Sequence, residues 1–172
     1  MKLNGLAKLN REFSKVVRPF GIEGVVNGED FAWYREKNII TYTLVTGTFH
    51  DEWFVEFVKE RFDYDVENVF IMTLLHEIGH YKTDDEIGSA LGTWCDNDKE
   101  RISDAILNDP FITEEEEKAL NWQYFYLPDE FSATAWAVKF AKENPEYIEE
   151  MWEKMEKALH NFYEKNDLIG EE

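Results

Sequence analysis

Residues 76–80 read His-Glu-Ile-Gly-His. On an α-helix, positions i and i+4 share one face, so His76 and His80 can grip a single metal ion. Glu77 is rotated about 100° from His76. Its carboxylate then stands beside the metal's open position, where it can take a proton from a water that the ion has made acidic. That is the chemistry of metal-assisted hydrolysis. With four histidines in the chain, a chance match to this pattern is on the order of one in a hundred.

The element that must carry these groups is a helix from about 67 to 81. Phe70, Ile71, Leu74, Leu75 and Ile78 surround much of its circumference, and a helix apolar on nearly every side is a buried one. Two histidines and a glutamate inside it are costly unless hydrogen-bonded or metallated. That cost points to a metal independently of the motif.

Other elements follow from periodicity and punctuation. Leu3, Leu6, Leu9, Phe13 and Val16 or Val17 mark an amphipathic helix over 3–17, ended at Arg18-Pro19. Gly21, Gly24 and Gly28 read as turns. Residues 31–37 and 38–46 read as two strands joined by a tight turn at Lys37-Asn38. Asp51 is placed to cap a helix over about 52–62. Residues 84–107 hold one or two helices, interrupted near Gly88, Gly92 or Asp96-Asn97, and Asn108-Asp109-Pro110 is a turn. Thr113 with Glu116 forms a capping box for the next helix. Further helices are expected over 129–143 and 146–165.

A catalytic zinc usually has three protein ligands and one open position. His160 lies off the apolar stripe of the last helix, facing solvent. His50 sits in a loop after the second strand. Asp84, Asp85 and Glu86 follow the motif closely. Glu130 is the stronger candidate, because it heads a stripe formed by Ala133, Thr134, Ala137 and Ala141. Small residues along one face let another helix approach, and Gly79 can ease the contact from the motif side. The alternative is that Asp129 and Glu130 only complement the helix dipole.

His76-Glu77-x-x-His80, followed on a later helix by Glu130-x-x-Ala133, resembles the gluzincin type of zinc metallopeptidase. The Glu-x-x-Ala-x-x-x-Ala pattern at 130–137 looks like the ImmA/IrrE group of bacterial and phage metallopeptidases. The resemblance spans about residues 38–142 and is specific at the two motifs. It implies zinc held by His76, His80 and Glu130, with Glu77 activating water to attack a peptide carbonyl. It also implies a peptide or protein substrate, and a donor that stabilises the oxyanion. Tyr81, Tyr124, Tyr126 and Tyr147 are open as that donor.

Composition sets the remaining bounds. The 172 residues suit one domain, residues 1–172; the resemblance implies that it is zincin-like and of α+β class, mainly helical, with a small sheet beside the motif helix. A formal net charge of −19 argues against direct nucleic-acid binding, which needs a basic footprint. Acidic helix faces for solubility are the simplest account of that charge; attraction of basic substrates and mimicry of nucleic acid are the others. No apolar run approaches the roughly 18 residues of a membrane span. The single cysteine, Cys95, points to a reducing, cytoplasmic setting. Two further functions stay open: a zincin fold used for binding with little turnover, and an acidic decoy of nucleic acid.

Overall fold

A computed structural model of the protein describes residues 5–44 and 49–166. The chain forms two compact units, Met1–Leu44 with Ala141–Glu172, and Val45–Phe140. The class is α+β: six α-helices and one three-stranded mixed sheet among the described residues.

The first unit contains α1 (Leu6–Val17), β1 (Gly24–Asn27), β2 (Ala32–Tyr34), β3 (Ile39–Tyr42) and α6 (Pro145–Lys165). The strand order is β1-β3-β2, with β3 parallel to β1 and antiparallel to β2. The expected hairpin forms between β2 and β3, but its strands are shorter than 31–37 and 38–46, and the turn takes four residues, 35–38, closed by Asn38 N donating to the Arg35 carbonyl at 3.2 Å. Asn38 takes a left-handed φ of 49° there, and its side-chain oxygen accepts from the Trp33 indole at 3.1 Å. β1 was expected to be turn. It is a strand because Ser14 on α1 accepts from Val25 N at 2.9 Å while β3 pairs along its other edge. A Cβ on Gly24 would stand 3.1 Å from Ser14 Oγ, so the glycine serves this approach. Phe13, Val17, Ile40, Tyr42 and Met155 form the dry centre.

The second unit contains α2 (Phe49–Phe62), α3 (Val69–Leu107), α4 (Glu114–Phe125) and α5 (Pro128–Glu143), the last up to Phe140. Asn68 caps α3 by accepting from Ile71 N at 3.0 Å. The capping box at Thr113 and Glu116 is formed as the sequence predicts. Phe57 of α2 centres an aromatic cluster with Trp122, Phe125, Tyr126 and Phe131 at centroid distances of 5.2–6.4 Å.

The motif helix runs beyond Tyr81, because no residue there stops it. It breaks at Gly88, whose φ of 69° and ψ of 167° lie in a region that is essentially glycine's alone. The sheet belongs to the first unit and the motif helix to the second. No helix among the described residues is long and apolar enough to cross a membrane.

Candidate metal centre

Close packing of α3 on α5 builds the site. A Cβ added to Gly79 would fall within 2.9 Å of the Ala133 Cα and carbonyl carbon, so only glycine allows this approach. Ala133, Thr134 and Ala137 on the facing side are fully buried. The stripe of small residues therefore meets the motif helix, with Glu130 at its head.

Glu130 is 4% exposed. Its Oε2 lies 2.9 Å from His76 Nε2, and its Oε1 lies 3.4 Å from His80 Nε2. Two ligands of one tetrahedral zinc, each about 2.0–2.1 Å from the ion, stand about 3.3 Å apart. The His–Glu spacings fall on either side of that value. Among the described residues, two groups can hold an ion: His76 with Glu77 and His80, and His80 with Asp129 and Glu130. Glu77 is buried in the first group.

The hydrogen bonds fix the tautomer of His76. Thr134 Oγ1 has one proton and donates it to the Glu130 carbonyl at 2.9 Å. At 3.0 Å from His76 Nδ1 it must then accept, so Nδ1 carries the ring proton. That leaves the Nε2 lone pair of a neutral ring facing a carboxylate oxygen. Two acceptors at 2.9 Å are joined either by a proton between them or by a metal that both ligate. Phe54 closes the site on another side, its ring edge-on to His76 at 5.4 Å.

Burial resists the charge on Glu130, but His80 and His76 outweigh it and hold the carboxyl well below its usual range. Tyr124 answers in the opposite sense. Burial, joined by the carboxylates of Glu130, Glu77 and Asp129, pushes its hydroxyl well above the ordinary value, so it remains a proton donor. Tyr124, one of the four tyrosines named from sequence, stands beside these carboxylates. Tyr126 instead stacks on Phe131, and Tyr147 lies in the first unit.

One charged group of the site was missed from sequence. Lys99 Nζ lies 2.5 Å from Asp129 Oδ2 and 2.6 Å from Glu130 Oε1. Burial works against its charge, but Glu130 and Asp129 raise its pKa above the ordinary lysine value. Lys99 is nineteen residues beyond His80 on the same helix. On a straight helix that is about 28 Å of rise. The break at Gly88 is what lets both side chains reach one carboxylate oxygen. A signal was present: Cys95, Lys99 and Ile102 fall at i, i+4 and i+7, and the outer two are buried. A lysine between them sits on an apolar stripe and needs a partner.

The other candidates lie elsewhere. His160 is exposed in the first unit, 3.1 Å from Glu164. Asp84, Asp85 and Glu86 continue the motif helix and join neither ligand group. His50 falls in the first turn of α2, not in a loop, and its side chain lies outside the described residues. Comparison with protein-family models, with curated proteins and with solved structures returned no match.

Proposed function

We propose that the chain is a zinc-dependent metallopeptidase of gluzincin type, with His76, His80 and Glu130 as metal ligands and Glu77 as general base. The observation that carries this reading is the arrival of Glu130 from a second helix at both imidazole Nε2 atoms. The donor set of two imidazoles and one carboxylate suits zinc and leaves its fourth position open. Thr134 supports it by orienting His76 with Nε2 toward the carboxylate.

Zinc at this site would supply Lewis acidity, polarising the peptide carbonyl and lowering the pKa of water to about 7. Glu77 accepts the proton from the attacking water and passes it to the departing amine nitrogen. Tyr124, kept protonated by its neighbours, is the hydroxyl offered to the carbonyl oxygen as negative charge develops there. The substrate is a peptide or protein. The net charge of −19 favours substrates with basic segments over nucleic-acid phosphates. The lone, buried Cys95 fits a reducing cytoplasm.

The test is Glu77→Gln, assayed on a quenched-fluorescence peptide library beside the zinc-loaded wild type. The amide keeps the shape but cannot take the proton. Cleavage should fall roughly 10²–10⁴-fold with zinc content unchanged. Cleavage at the wild-type rate removes Glu77 as the base. A zinc-loaded wild type that cleaves nothing favours the binding function instead.

A further inference from the structure

We propose that Lys99 is a resident cation of this centre that competes with the metal, stabilising the metal-free fold and limiting how tightly zinc is held. The inference rests on the metal-centre reading above and adds to it a charge that neither the motif nor the ligand set contains.

Lys99 Nζ bridges Asp129 and Glu130 at 2.5 and 2.6 Å, and Glu130 Oε1 is also the oxygen nearest His80 Nε2. Glu130 and Asp129 are both largely buried, with side-chain exposures of 5% and 14%. Two adjacent carboxylates this far from water need a positive charge nearby. The ammonium meets that need without a metal. A dication on the same carboxylate meets it a second time, within a few ångströms of the first cation and shielded from salt. The two cations therefore bind antagonistically. Glu130 meets His76 through Oε2, while His80 and Lys99 share Oε1, so the ammonium occupies an oxygen that one of the proposed ligands also faces.

The Lys99 side chain is 21% exposed. It stands on the same helix face as buried Cys95 and Ile102, and the helix direction there is set by the Gly88 break. Its Nζ is 5.6 Å from the Tyr124 ring, which lines the space beside it. Displacement by metal requires rearrangement of the stem. Competition is thus a property of the packed fold rather than of a loose surface lysine.

The experiment measures zinc affinity by chelator competition, and melting temperature with and without zinc, on the full chain. Lys99→Met should bind zinc at least about tenfold more tightly than wild type. Its metal-free form should melt several degrees lower, and saturating zinc should restore more of its melting temperature than wild type gains. Lys99→Arg keeps the charge and should stay near wild type in affinity. If Lys99→Met does not fold without metal, Lys99→Met with Asp129→Asn is compared with Asp129→Asn alone, and the same tightening is expected. A wild type that binds zinc while the lysine-free variants bind it equally or more weakly overturns the competition and leaves the metal centre standing. Zinc uptake by neither wild type nor the lysine-free variants overturns the metal reading, and this inference with it.

Discussion

The two units bury polar groups in different ways. In the first, Ser14 Oγ donates to the Asn10 carbonyl at 2.7 Å and accepts from Val25 N at 2.9 Å. The Tyr42 hydroxyl donates to Asn10 Oδ1 at 2.9 Å. Every group in that set is neutral, and each bond joins a helix to the sheet or to itself. Such a network holds a fold together at a net gain of about 1 kcal/mol per bond. In the second unit two imidazoles, three carboxylates, an ammonium and the Thr134 hydroxyl converge from α3 and α5. Hydrophobic side chains of like volume would often stabilise such a position as well or better. The difference teaches where to look for function: the costly, ionisable cluster is the one that stability alone does not explain.

This contrast can be broken by substitution. The largest effect is expected at Gly79→Ala. The new Cβ meets Ala133 backbone, which cannot rotate away, so α3 and α5 must separate. The cost is about 1–3 kcal/mol or more. Zinc affinity should fall with it, because Glu130 moves away from the histidines. Thermal melting and zinc titration read both quantities. Unchanged values would mean that the helices do not touch there.

Gly88→Ala comes next. Nothing lies within 4 Å of the added Cβ, so crowding is not the issue. The cost is backbone strain at φ 69°, about 1–3 kcal/mol. Relaxation toward a continuous helix would draw Lys99 from Glu130, and amide exchange should quicken across 89–107. A variant as stable as wild type, with unaltered exchange, would place the Lys99 contact in doubt.

Ser14→Ala is the smallest and sharpens the comparison from the other side. It leaves the buried Val25 N–H without its acceptor and should cost about 1–2 kcal/mol. Zinc affinity should be unchanged. A shift in affinity as large as that of Gly79→Ala would erase the distinction between the two units.

Much of this organisation was legible in the residues. The helices show because their apolar spacing and caps agree, as at Thr113 and Glu116. The approach of α5 to α3 was readable from Ala133, Thr134 and Ala137 facing Gly79, since small residues matter only where something comes close. β1 was not legible. Its four residues bury Val25 but leave Val26 41% exposed, and its pairing partner β3 is separated from it in sequence by β2. Lys99 was hidden for a different reason. Its position depends on the direction α3 takes after Gly88, and a glycine in a helical pattern states that a break is permitted, not which way the chain then turns. The extra length of the motif helix belongs with this: nothing between Tyr81 and Gly88 opposes helix, and no local signal said so.

The central claim is that the ionisable cluster of the second unit is a metal centre. Elemental analysis of protein purified without chelator tests it most directly, on wild type, His76→Ala and Glu130→Ala. The account expects about one zinc per wild-type chain, and loss of that zinc in both variants beyond the roughly 10–100-fold weakening of a supporting group. A wild type that carries no transition metal and takes up none on titration contradicts it.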